Sequence, residues 1–221
     1  MRLTTGIWVL LVLFSACKNN PKQEGPSKEV IVDTIKQPVN YKFNLDKYKK
    51  DFRYGKLTEF SFDDIDWENR NKLFTKLEEY DYADVFQDSM YLDTSNNPAY
   101  FYSIQKATSD LTQITVMWEH DGCCSNITLL TYNAAGKLIN MEQMAFEGGD
   151  GGWWHTSYSI FSNDSTYLFS SKDCSDEEAS EDYSAVCDST LTIFNLREDG
   201  RALMIKEETF NVKEPAVKYD K

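Results

Sequence analysis

Histidine is nearly missing from this sequence: His120 and His155 are the only two in 221 residues. Chemistry that depends on a positioned imidazole has at most two places to start. No His-Glu-x-x-His helix motif and no Gly-x-Ser-x-Gly elbow occurs, so metalloprotease and acyl-transfer machinery lack their parts. A Cys-x-x-Cys pair is also absent, which sets aside thiol–disulfide exchange catalysis. Basic residues are in deficit. Lys and Arg number 23 against 36 Asp and Glu, a formal net charge of −13, and no stretch gathers the positive charge that a phosphate backbone needs. A nucleic-acid partner is excluded on that ground, and an anionic lipid surface would repel the chain. The apolar run at residues 7–14 is eight residues long, whereas a bilayer-spanning helix needs roughly 20, so it cannot serve as a permanent span.

What is present at the start of the chain is an export leader. Arg2 supplies a positive first region, the apolar run follows, and the small residues Ser15 and Ala16 close it. Leu13-Phe14-Ser15-Ala16-Cys17 resembles the lipobox of bacterial lipoproteins, with Phe14 where the usual pattern has leucine. The resemblance implies cleavage before Cys17 and acylation of that cysteine, with membrane attachment through the acyl chains, each buried CH₂ contributing about 0.8 kcal/mol. Residues 1–16 then form the signal peptide. Residues 17–40 follow as an acylated, flexible tether, rich in Lys, Asn, Gln, Pro and Ser and carrying Pro21, Pro26 and Pro38. A single domain is expected over residues 41–215, with a tail at 216–221.

The expected fold class is mainly β (α+β). Aromatics make up 14% of the chain, and Thr, Ser, Tyr and Phe dominate its second half, a strand-forming composition. Strand-like runs at 100–106, 114–119, 127–132, 138–146, 157–161 and 167–171 are separated by turn chemistry at Asp121-Gly122, 133–136, 148–152, Asn163-Asp164 and Asp199-Gly200. These patterns predict an antiparallel meander of about seven to nine strands, forming a curved sheet, a sandwich or a partial barrel. One N-terminal helix is predicted over roughly 67–79, from the spacing of Trp67, Leu73, Phe74, Leu77 and Tyr80, with Asp66 as its cap.

Candidate site residues fall in two segments. In the first, His120, Cys123 and Cys124 stand beside Glu119 and Asp121, and His155 could join them across hairpin ends as ligands of a soft metal such as zinc or copper. The adjacent cysteines could instead bond to each other. The second segment reads Glu-Gly-Gly-Asp-Gly-Gly-Trp-Trp. Its glycines allow a tight turn around Asp150, and Trp153 and Trp154 place one ring on each face of a strand, the exposed one available to a protein or glycan partner. Cys174 and Cys187 bracket a polar insertion between two strand-like runs and are the favoured disulfide. That insertion is acidic, but its spacing does not match an EF-hand loop and reads as a solvated loop. No cofactor is implied.

Taken together, the lipobox, the polar tether and the Tyr-, Asn-, Asp- and Gly-rich meander resemble small lipoproteins of Bacteroidota. The resemblance implies residence in the bacterial cell envelope, with the outer membrane as the anchoring surface. It also implies O-glycan sites at Asp-Ser/Thr tripeptides such as Asp33-Thr34-Ile35, Asp164-Ser165-Thr166 and Asp188-Ser189-Thr190. The expected function is a non-catalytic binding or interaction module for a protein or glycan. A metal- or thiol-dependent protein using His120, Cys123, Cys124 and His155 is the alternative, and a lipid-binding curved sheet is a third.

Overall fold

The computed structural model describes residues 41–63, 65–66, 69–87, 97–120, 123–176 and 183–215. Cys17, the leader, the tether at 17–40 and the tail at 216–221 lie outside the described residues, as do Trp67, Glu68, Asp121 and Gly122. The described residues form one compact unit.

Among the described residues, nine antiparallel strands make one sheet. β2 (Ala99–Ala107), β3 (Leu111–His120), β4 (Cys124–Asn133), β5 (Leu138–Asp150), β6 (Trp153–Phe161), β7 (Thr166–Ser175), β8 (Tyr183–Leu196) and β9 (Ala202–Pro215) pair strictly in chain order, and the short β1 (Glu59–Phe60) pairs with β6. Because β2 and β9 are not joined, the sheet stays open and does not close into a barrel. The meander expected from the turn chemistry is therefore what forms. Asn133 shows how one turn is fixed: its side-chain Oδ1 accepts from the N–H groups of Ala135 and Lys137, both at 3.0 Å, while Gly136 takes a φ of 76° that favours glycine.

The sheet forks at β5. Residues Phe146 to Asp150 of β5 pair with β6, but beyond Ser157 the two strands separate, and β1 occupies the edge of β6 at Ser159 and Ile160. A bulge in the β4–β5 ladder, between the pairs of Ile127 and Thr128, lies at the same place. The Ser159 hydroxyl donates to the Met144 carbonyl at 2.6 Å across the fork.

Strands β2 to β4 are buried on both sides, and their alternation decides which core each residue enters. Ala99, Phe101, Ile114, Val116, Leu130 and Tyr132 join one cluster. It is completed by Phe43, by Tyr48 of α1 (Leu45–Tyr48), by Leu77, and by Tyr82, Val85 and Phe86 of α3 (Glu79–Phe86). Tyr100, Tyr102, Met117, Ile127 and Leu129, on the opposite face by alternation, join a second cluster, with Phe60, Phe62 and Phe74, and with Tyr167 and Leu196 from β7 and β8. Each fully buried large apolar side chain contributes roughly 1.5–3 kcal/mol relative to exposure. Three hydroxyl and amide contacts tie α3 to the sheet. Tyr132 donates to the Val85 carbonyl at 2.6 Å, Tyr82 donates to the Asn97 carbonyl at 2.9 Å, and the Ala99 N–H donates to the Tyr82 hydroxyl at 2.7 Å.

The single helix expected over 67–79 does not form. Instead α2 (Arg70–Leu73) ends after one turn, and α3 begins at Glu79 behind a capping box made by Glu78 and Asp81. Between them the backbone runs extended along β2: the Phe101 N–H donates to the Thr75 carbonyl at 3.0 Å, and the Leu77 N–H to the Ala99 carbonyl at 2.8 Å. Those bonds to the exposed edge of the sheet replace intrahelical ones. Phe74 and Leu77 are buried as the apolar spacing required, but in two different cores.

Candidate functional site

Cross-strand registry locates every candidate residue. His120, Cys124, Gly148, His155 and Asp173 form one row across β3 to β7, each directly paired with the next. His120 and His155 are thus three strand spacings apart, roughly 14 Å at about 4.8 Å per strand. Two ligands of one zinc ion cannot be separated so far, since each metal–nitrogen bond is only about 2 Å. The cysteines between them are bonded to each other: the sulfurs of Cys123 and Cys124 lie 2.19 Å apart. His120, Cys123, Cys124 and His155 are therefore not brought together as a ligand set. Among the described residues no group of three or more His, Cys, Asp or Glu side chains is placed to hold a metal ion. His155 instead lies 3.8 Å through Nδ1 from the Asp173 carboxylate, with the Phe146 ring edge-on at 5.1 Å.

The adjacent row faces the other side of the sheet. Glu119, Ser125, Glu147 and Thr156 pair in sequence across β3 to β6. They form one flank of a cleft of about 600 Å³, whose remaining lining comes from Arg70, the Cys123–Cys124 disulfide, the glycine turn around Asp150, and Trp153 and Trp154. Here the two segments singled out in the sequence do meet. A volume of this size lies within the range of small-molecule sites.

The glycine turn has a local cause for each residue. Asp150 pairs with Trp153, and the two residues between them, Gly151 and Gly152, have φ of 60° and 89°, the two-residue hairpin with both central residues left-handed. Gly148 and Gly149 belong to the strand and are small for packing. A Cβ on Gly148 would sit 2.7 Å from the Cys124 sulfur, and one on Gly149 would overlap the Trp153 carbonyl. The turn is also bound to the start of the acidic insertion, since the Asp176 N–H donates to the Gly152 carbonyl at 2.9 Å.

The tryptophans divide as alternation requires. Trp154 pairs with Cys174 and packs against the small cluster of Cys174, Ala185 and Cys187 with Val212. Cys174 and Cys187 are directly paired on β7 and β8, their sulfurs 2.10 Å apart, so the favoured disulfide forms the floor on which Trp154 rests. Trp153 stays 43% exposed, and its indole N–H donates to the Asp173 carboxylate. That bond satisfies the only polar group of the ring and fixes its plane.

Electrostatically the cleft is acidic. Arg70 is the single cation among its described lining residues, against Glu119, Glu147 and Asp150. The Arg70 guanidinium donates through Nε and Nη2 to the Glu119 carboxylate, which raises its pKa further above the ordinary arginine range. Sequence reasoning missed Arg70. It comes from α2, 49 residues before its partner, and no local pattern connects it to the glycine turn.

Among the described residues no helix is long and apolar enough to cross a membrane. Of the tripeptides that resemble glycosylation sites, Asp164-Ser165-Thr166 sits on the β6–β7 turn, where Asn163 Oδ1 accepts from the backbone of Ser165 and Thr166. Ser189 is only 4% exposed on β8 and is closed to a modifying enzyme in the folded protein. Asp33-Thr34-Ile35 lies outside the described residues. The chain matches no family model, no curated protein and no solved structure, so its function has to be read from the cleft itself.

Proposed function

We propose that this chain is a non-catalytic binding domain of the bacterial cell envelope, held at the outer membrane by acyl chains on Cys17 and receiving a protein or glycan partner in the cleft beside the β5–β6 turn. The observation that carries the reading is the convergence of two sequence segments, residues 119–125 and 147–156, on one cleft. The lining holds no thiol able to act as a nucleophile, because Cys123 and Cys124 are joined. The one cation among its described lining residues, Arg70, is engaged by Glu119. What remains is recognition chemistry: carboxylates that accept hydrogen bonds, an aromatic face, and bare glycine backbone.

Two measurements test the two halves. Mass spectrometry of the native mature protein is expected to find a diacylglyceryl thioether on Cys17 and no leader. A free thiol at that position, or retention of Met1, overturns the anchor. For the cleft, the backbone amide signals of Ser125, Glu147 and Thr156 in an NMR titration with soluble envelope saccharides and peptides are expected to shift saturably. Saturable shifts confined to residues far from 119–125 and 147–156 would move the binding site elsewhere.

A further inference from the structure

The open sheet has two edges, and they are treated differently. Along β2 the backbone is taken up by earlier chain: the Phe101 N–H donates to the Thr75 carbonyl, Leu77 donates to Ala99, and Tyr54 both donates to Tyr102 and accepts from Ile104. β9 pairs with β8 on one side, and among the described residues no backbone bond is made on the other. Such a row of unpaired amides and carbonyls is a template for a further strand. From Lys206 to Glu214, β9 pairs residue for residue with β8, and register shifts occur only at the two ends of that run. We propose that this regular edge pairs antiparallel with β9 of a second copy of the chain, in the register that sets Phe210 opposite its own mate across a two-fold axis. The surface is separate from the cleft on β3 to β6 and does not depend on it.

Charge selects both the partner and the register. A two-fold axis perpendicular to the sheet keeps each face continuous between copies and sets one residue opposite itself. Centred on Phe210, it places Lys206 opposite Glu214, Glu207 opposite Lys213, Glu208 opposite Val212 and Thr209 opposite Asn211. Each opposite-charge pair then occurs twice, and no like charges meet. Neighbouring registers fail this condition. Centred on Lys206, Glu207 or Glu208 a charge meets itself; centred on Thr209 no ion pair forms; centred on Asn211, Glu208 meets Glu214. Charges on an edge strand ordinarily keep copies apart, because like meets like. Here Lys206-Glu207 and Lys213-Glu214 are complementary to their own reverse. Within one copy Lys206 lies 2.5 Å from Glu208, and Glu214 lies 2.7 Å from Lys172, so pairing extends a row in which the signs already alternate. At the axis Phe210 is exposed, and the two rings meet there as a cross-strand aromatic pair, with Val212 on the same face.

The test uses the chain from residue 17 on with Cys17→Ser, which keeps every described residue and carries no acyl chain to drive association. Sedimentation velocity at rising concentration is expected to show a reversible monomer–dimer equilibrium. Glu207→Lys and Lys213→Glu each set like charges opposite one another at two symmetric places, and each is expected to weaken the dimer at least about tenfold. The double variant restores opposite signs and is expected to recover most of the parent affinity. Circular dichroism checks the folding of each variant. The register is read by crosslinking with a short thiol reagent, the four other cysteines being joined in disulfides. Phe210→Cys is expected to give covalent dimers, whereas Leu203→Cys, held roughly 45 Å from its mate at about 3.3 Å per residue, is not. A monomer at every concentration overturns the proposal. So does a dimer that is untouched by the charge reversals, or one that crosslinks through Leu203→Cys but not through Phe210→Cys. Assemblies that grow beyond the dimer also overturn it, since a two-fold pairing uses up the β9 edge of both copies.

Discussion

The two ends of the sheet are held by different means. In β2 to β4 each residue enters one core or the other, and Ile114, Val116, Met117, Ile127, Leu129 and Leu130 are almost wholly withdrawn from water. In β8 and β9, each 14 residues long, the ladder is the longest in the molecule, yet Leu203, Met204, Ile205 and Phe210 of β9 stay exposed. Burial secures the first half; hydrogen-bonded registry and cross-strand pairs secure the last strand. The cleft lies between these regimes, on β3 to β6, where a packed sheet supports side chains that are themselves open to solvent.

Substitutions can set the two regimes against each other. Leu130→Ala in β4 removes a fully buried side chain, and chemical denaturation is expected to show a loss of about 3–4 kcal/mol. Replacing Cys174 and Cys187 together by Ser opens a loop closed across 13 positions, and should cost about 3 kcal/mol with a measurable rise in hydrogen exchange at Trp154. Alkaline pH tests the first core through Tyr82, whose phenol burial pushes up to about 12. A tyrosine in the unfolded chain ionises near 10, so this group leaves stability unchanged below that pH and lowers it by about 2 kcal/mol between about 10 and 12; Tyr48, Tyr132 and Tyr167, whose phenols burial also pushes up, add to the fall. Stability measured from pH 9 to 12, beside phenolate absorbance that lags the ordinary tyrosine range until unfolding, checks the sign. Gly136→Ala forces a side chain into φ of 76° against the Phe43 carbonyl, for about 1–3 kcal/mol. Ile205→Ser on β9 is expected to change stability by less than about 0.5 kcal/mol. A loss there comparable to Leu130→Ala would erase the contrast between the two ends.

Strands and turns were readable because their signals are local. Asn133 to Gly136, Asn163 with Asp164, and Asp199 with Gly200 each carry the residue type that their backbone requires, and the alternation of β3 and β4 follows from pleating alone. The helix was misread because Leu73, Phe74 and Leu77 fit a helical face equally well, whereas the deciding bonds come from Ala99 and Phe101 on a strand more than 20 residues away. The site was half legible. Its glycines, tryptophans and cysteines stood out by type, but the row that separates His120 from His155, and the approach of Arg70 to Glu119, depend on pairings that local pattern does not encode.

The two residues of β1 close the fork between β5 and β6 from a position about 100 places earlier in the chain. Such a distant pairing brings little reward until most of the meander already exists, so the early segment docks late in assembly. Until it does, the edge of β6 at Ser159 and Ile160 has no neighbour and offers its amides to any extended chain nearby, another copy included. A protein carrying a charge-reversed or shortened segment at 58–60 would betray this by clumping during refolding, well before its finished fold lost much stability.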